Sequence, residues 1–244
     1  MPVLILITFK PHGIIALRVS PQSKMRISFK HPPLTSLIGA LAYPLFSEDR
    51  YETLIDKDRK IRSKADELRK MLIGVSIHTI NGSIMYGPLF RINRLYHKVA
   101  ESAITSLPLT VIYGNENYEY QVAYIFDEQK LENYSIRDLE RAAWGVSRIG
   151  SRESVVYVES VKSAKIELLR TNIAETFFSF PYDMTKSIQG RYDIEQVVDW
   201  KTTEIGDYSR SPRIRLVYPL ERNVVEGLYD FEVAKVEFGC IIVS

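Results

Sequence analysis

Pro32-Pro33-Leu34-Thr35-Ser36-Leu37-Ile38-Gly39-Ala40-Leu41-Ala42-Tyr43 is the stretch on which the fold turns. Two prolines impose extended backbone and stop the strand before them, and the chain then changes period. Leu34, Leu37, Ile38, Leu41 and Leu45 recur at helical spacing, no charge falls within 34–47, and Thr35 or Ser36 stands where an N-terminal cap is expected. A helix this apolar has to be buried, with Gly39 allowing it to lie close against a sheet. Upstream, 3–9 reads as a buried first strand. Residues 13–19 continue it after a turn or bulge at Lys10-Pro11-His12-Gly13.

Downstream, 71–80 reads as a strand ended by Asn81-Gly82, and 109–113 and 118–126 flank Gly114-Asn115-Glu116-Asn117 as a hairpin. Ser135, with Asp138 three residues on, opens a second helix that runs to about Trp144. A strand at 154–158 follows. The order strand, helix, strand, strand, helix, strand is the split βαβ pattern, so the expected class is α+β, a ferredoxin-like (RRM-like) domain. From Ile166 onward the signals are strand-like and broken by proline. The expected organisation is a ferredoxin-like domain over 1–165 with a basic insert at about 47–108, and a C-terminal β-rich extension over 166–244.

Composition narrows the function classes. A chain of 244 residues, 45% hydrophobic, can bury one sizeable core with a smaller appended unit. A single cysteine, Cys240, excludes an internal disulfide and a cysteine-based zinc cluster and suits a reducing cytoplasm. The apolar strand at 3–9 is too short to span a bilayer and has no basic leader, so no membrane partner is expected. The net charge of +2 hides an asymmetry: residues 1–112 hold 16 Lys and Arg against 8 Asp and Glu, and 113–244 hold 16 against 22. The basic half suits a polyanion and the acidic half other proteins, while chance clustering on a solvated surface is the plainer reading.

Ala142-Ala143-Trp144-Gly145-Val146-Ser147-Arg148-Ile149-Gly150-Ser151-Arg152-Glu153-Ser154 carries the sharpest chemistry. Glycines 145 and 150 allow close backbone approach, and Arg148 and Arg152 offer planar cationic forks beside the hydroxyls of Ser147 and Ser151. That set suits a phosphate backbone. The competing reading is internal ion pairing with Glu140 or Glu153. A second candidate is 83–100, where Arg91, Arg94, His97 and Lys98 alternate with Tyr86, Phe90 and Tyr96 and no acid occurs. Cations for phosphates and rings for bases suit single-stranded nucleic acid, and inward-packed aromatics beneath wet charges are the alternative.

The remaining features favour bland readings. Residues 57–70, with seven basic and three acidic side chains, read as a solvated helical or mobile face, and the cluster Arg210, Arg213 and Arg215 is weaker still. Tyr118, Tyr120, Val122, Tyr124 and Phe126 share one strand face, which without an RNP consensus reads as core more than as a stacking platform. His12, His31, His78 and His97 show no metal spacing, and no phosphate loop, nucleophile elbow or paired-carboxylate motif is present, so no metal, cofactor or catalytic residue is expected. Metal-independent RNA cleavage needs only a His, Tyr or Lys near a 2′-hydroxyl, which leaves His12 or His97 with a tyrosine as an enzymatic alternative.

The Pro-Pro-x-Thr-x-Leu-Ile-Gly-Ala-Leu and Trp-Gly-x-Ser-Arg-Ile-Gly-Ser-Arg-Glu-Ser motifs resemble those of the CRISPR-associated family five proteins of the RAMP superfamily, in their archaeal type I-A branch. The resemblance covers 3–43 and 135–158. It implies a ferredoxin-like domain with a C-terminal β extension at one end of the crRNA-guided surveillance complex, Cascade, in antiviral defence. There the subunit would hold the crRNA 5′ handle, nucleate assembly and touch the backbone-filament and large subunits, without cutting RNA. A type I-C sister branch does cut, with a Tyr/Lys/His set and a glycine-rich C-terminal loop, whereas here only Gly227 and Gly239 stand in that region. Carried onto this chain, the match places Trp144, Ser147, Arg148, Gly150, Ser151 and Arg152 near the handle or a subunit contact; Arg91, Arg94 and Tyr96 join them from the basic insert. An endoribonuclease processing pre-crRNA and a protein-only assembly subunit are the alternatives.

Overall fold

Strand β1 (Pro2–Pro11) sends Val3, Ile5, Ile7 and Phe9 into one apolar layer and Leu4 and Leu6 into another. A strand apolar on both faces belongs inside a sheet that is covered twice. The structure, a computed structural model, describes residues 1–17, 19, 28–47, 63–80, 85–92, 104–113, 118–151, 153–203, 211–237 and 239–243, with 85–92 and 104–113 described as backbone only. After a two-residue strand β2 (Ile14–Ile15), much shorter than the 13–19 expected, come α1 (Leu34–Leu45), α2 (Ala65–Met71) and β3 (Leu72–Ile80). Then follow β4 (Met85–Ile92), β5 (Ile104–Tyr113), β6 (Glu119–Asp127), α3 (Ile136–Trp144) and β7 (Val156–Lys165).

The main sheet has the order β3-β6-β1-β7, antiparallel throughout, with α1 and α3 on one face. This is the ferredoxin-like fold. Leu37, Ile38 and Leu41 on α1 are sealed, each contributing about 1.5 to 3 kcal/mol by leaving water, and the Tyr124 hydroxyl donates to the Leu37 carbonyl at 2.8 Å. The aromatic stripe of β6 lies in this helix-covered layer, so its rings are core. Helix α3 starts with the capping box expected at Ser135 and Asp138.

The expected hairpin of 109–113 with 118–126 does not form. β6 is buried along nearly its whole length and has β1 on one edge and β3 on the other, so no edge remains for β5. β5 pairs instead with β4 and with β2, a separate three-stranded sheet continuing from β1. The turn residues 114–117 and Asn81-Gly82 lie outside the described residues.

Among the described residues the C-terminal region is all β apart from a single 3-10 turn: β8 (Leu168–Thr176), β9 (Phe180–Pro181), β10 (Thr185–Gln189), β11 (Tyr192–Val198), β12 (Arg213–Pro219), β13 (Asn223–Val236) and β14 (Gly239–Val243). The long β13 joins β8 along one edge and β10 and then β14 along the other, and β11-β12-β9 form a second sheet. Ile166, Phe178, Ala234, Ile241 and Val243 pack on Leu4, Ala123 and Ile125. The β-rich extension therefore covers the sheet face that an RNA-recognition domain would leave open. Replacing Leu37 by alanine is expected to lower unfolding free energy by about 2 to 5 kcal/mol in urea titrations, against about 1 kcal/mol for Ser135→Ala at the α3 cap.

Candidate nucleic-acid interface

The cap expected at Thr35 or Ser36 is not made. Pro33 occupies the N-cap position in extended conformation, and no side chain bonds to the first turn of α1. Thr35 and Ser36 lie inside that turn instead of before it, where a hydroxyl cannot reach the orphan N–H groups. The Ser36 and Leu37 N–H groups go to the Pro33 carbonyl at 2.9 and 3.3 Å. The first turn of α1 holds no acidic residue of its own.

The approach to α1 is held by β11. Glu195 accepts the Lys30 N–H at 2.7 Å with one oxygen and the His31 N–H at 3.1 Å with the other. His31 is sealed and stacked on Tyr218, centroids 4.5 Å apart, with Nε2 3.2 Å from Asp193 Oδ2. An ionised carboxylate only accepts, so Nε2 carries the proton. Burial pushes the Glu195 carboxyl above its usual range, while the His31 bond holds Asp193 below it.

The opposite wall is the segment after α3. Gly145 closes that helix where a Cβ would stand 2.8 Å from Pro44 Cβ, so α1 and α3 touch there. Arg148 bridges Val155, the Val156 N–H donates to the Ser147 carbonyl at 2.9 Å, and Val146 and Ile149 are buried. Gly150 has φ +75°, and a side chain on it would run into Leu17. Ser154 is sealed; its Oγ accepts the Ala16 N–H and lies 2.9 Å from Ser151 Oγ.

Helix α1 and the segment after α3 meet in one cleft of about 240 Å³. Helix α1 supplies Thr35, Ser36, Gly39, Ala40 and Tyr43; the segment after α3 supplies Ser147, Arg148 and Gly150. The Arg148 guanidinium lies over the Tyr43 ring, 4.7 Å from its centroid, and has no carboxylate partner among the described residues. Glu140, one acid considered for it, accepts from Ser163 instead. Thr35, Ser36 and Ser147 have no side-chain hydrogen bond among the described residues. Tyr43 is 42% and Trp144 55% exposed, each one residue before the touching pair Pro44 and Gly145.

Of the expected site residues, Ser147, Arg148 and Gly150 line the cleft, Trp144 stands beside its rim, and Ser151 is occupied with Ser154. Arg94, Tyr96 and Arg152 lie outside the described residues. Arg91 sits on β4 opposite Thr105, in a different sheet. The role expected for Gly39 is corrected: a Cβ there would meet nothing within 4 Å, so close packing does not require it. A mid-helix glycine costs about 0.5 to 1 kcal/mol relative to alanine, which is the signal by which this wall could have been found from sequence.

The other candidates are committed elsewhere or lie outside the described residues. Arg215 pairs with Asp183 and lies over Tyr182, while Arg210 and His97 are outside the described residues. His78 packs on Phe177 and Phe178, and burial lowers it to about 4. His12 is exposed, its N–H donating to the Val155 carbonyl at 2.8 Å. Among the described residues, no three His, Cys, Asp or Glu side chains gather as a metal site, and no helix is long and apolar enough to cross a membrane.

No family model and no curated protein matches the chain. A solved structure of a CRISPR protein from Archaeoglobus fulgidus shares its fold over 99% of both chains, with a TM-score of 0.66 at 20% identity. A chain of the type III-B Cmr-β complex, solved bound to cognate target RNA and AMPPnP, aligns over 93% of this chain and 86% of its own, with a TM-score of 0.39 and 13% identity.

The anchoring carboxylates imply opposite pH responses. Asp193 titrates below its ordinary 3.8 in the fold, so its stabilisation is present above that pH and is lost as pH falls through the folded value. Glu195 titrates above its ordinary 4.5, so its contribution is present below that pH and is lost as pH rises through the raised value. Asp193→Asn is expected to lower the melting temperature near pH 7 and to converge on the parent only as pH falls through the lowered folded value of Asp193. A deficit that stays constant across the range would remove the charge from the explanation.

Proposed function

We propose that this chain is a non-catalytic crRNA-binding subunit of a type I-A CRISPR surveillance complex, holding the 5′ handle in the cleft between α1 and the segment after α3. The observation that carries the reading is the cleft itself: among the described residues, a guanidinium without a carboxylate and three hydroxyls without side-chain partners, with exposed aromatic rings at the rim. Arginine forks and hydroxyls bind phosphates and sugars, and exposed rings stack on bases. The uncapped start of α1, free of acid, adds a favourable field for an anion. The fold shared with a protein named as a CRISPR protein supports the setting, as do the sequence motifs that form both walls. Contacts to the filament and large subunits fit the acidic balance of 113–244.

Arg148→Ala, assayed by fluorescence anisotropy over a salt series, is expected to weaken RNA binding by about tenfold and to reduce the log-log salt slope by about one. Unchanged affinity and slope would overturn the phosphate role. The parent chain incubated in EDTA with precursor repeat RNA is expected to leave it intact. Cleavage that disappears in His12→Ala would replace the proposal with the endoribonuclease, and assembly with partner subunits without any RNA binding would replace it with a protein-only role.

A further inference from the structure

We infer that the cleft between α1 and residues 147–150 seats one ribonucleotide and reads its 2′-hydroxyl, making the site selective for RNA over DNA. This rests on the RNA-binding reading above and names what that site recognises.

Three glycines stand around the cleft, and two have structural reasons. Gly145 touches Pro44, and Gly150 combines a positive φ with Leu17 at its back. Gly39 has neither: its backbone is helical and the space where a Cβ would stand is empty to 4 Å. A residue that weakens the helix, kept where a side chain would fit, reserves the space for something outside the chain.

The hydroxyls say what that something is. Thr35, only 7% exposed, half-buried Ser36 and exposed Ser147 all line the cleft, and none has a side-chain hydrogen bond among the described residues. A hydroxyl can donate one hydrogen bond and accept others, so a ligand group able both to donate and to accept matches an unengaged one most fully. A phosphate oxygen only accepts. A ribose 2′-hydroxyl does both, and deoxyribose has nothing at that position. Size agrees: about 240 Å³ falls below the roughly 300 to 1,000 Å³ of complete small-molecule sites, room for one sugar and not for a folded oligonucleotide. Arg148, over the Tyr43 ring at 4.7 Å from its centroid, gives the attached base a planar cation to stack against.

The test uses the full chain and a single-stranded RNA of about twelve nucleotides carrying the repeat-derived 5′ end. Its DNA counterpart and a series lacking one 2′-hydroxyl at a time complete the set. The RNA is expected to bind about tenfold more tightly than the DNA, with one position in the series accounting for most of the difference. Gly39→Leu, which fills the cleft, is expected to erase the preference with melting temperature unchanged or raised. Gly39→Ala should shift it the same way by less, which covers the case in which leucine prevents folding. Equal binding of RNA and DNA by the parent, or an unchanged preference in both Gly39 variants, overturns the inference. If Arg148→Ala still weakens binding in that case, the RNA-binding reading stands without the pocket; if it is silent too, both fall. Loss of co-assembly with partner subunits in Gly39→Leu, with RNA affinity untouched, would assign the cleft to protein and likewise overturn the inference.

Discussion

The four-stranded sheet is apolar on both faces, and this requirement fixes most of what surrounds it. Val3, Ile5, Ile7 and Phe9 need the two helices; Leu4, Ala123 and Ile125 need a second cover, and the C-terminal strands provide it. With both faces of its central strands covered and β6 taken on both edges, the middle of the sheet offers no open face for a nucleotide chain. Recognition is displaced to a seam between elements. One such seam lies where α1 and the end of α3 meet at Pro44 and Gly145 and leave a gap beside Gly39.

That displacement explains the chemistry of the seam. Helix α1 carries no charge, because most of its surface is core, so any cation must come from the opposite wall. Arg148 supplies it, placed over the Tyr43 ring and left without a carboxylate among the described residues. An exposed guanidinium paired on the surface contributes little to stability, about 0 to 1 kcal/mol, so leaving it unpaired sacrifices almost nothing in folding. The same residue can then serve binding, where a charge-assisted fork is worth more.

Legibility from sequence followed physical range. The first strand, both long helices, the Ser135 cap and the strand at 71–80 were readable because period and local capping decide them within a few residues. Pairing was not. Residues 109–113 and 118–126 look like hairpin partners across a short turn, but which edges of β6 are free depends on β1 and β3, far away in sequence. In the site, Ser147, Arg148 and Gly150 were legible as a local motif, whereas Gly39, Ala40 and Tyr43 became a wall only through packing. Thr35 and Ser36 misled as caps because cap and first-turn positions differ by one or two residues, finer than a sequence boundary can be drawn.

The Glu195 anchor shows what the extension does for the cleft. Burying a carboxylate costs several kcal/mol, and its raised titration records that penalty. Replacing it by an apolar group would leave two N–H groups, of Lys30 and His31, without acceptors, at about 1 to 3 kcal/mol each. The two magnitudes nearly balance, so Glu195 adds little net stability. What it adds is position: two oxygens at 2.7 and 3.1 Å from consecutive amides fix the backbone immediately before Pro32 and Pro33, and with it the first turn of α1. Thr35 and Ser36 are therefore aimed into the cleft by a residue of β11, which makes the C-terminal strands part of the site's construction as well as a cover for the sheet.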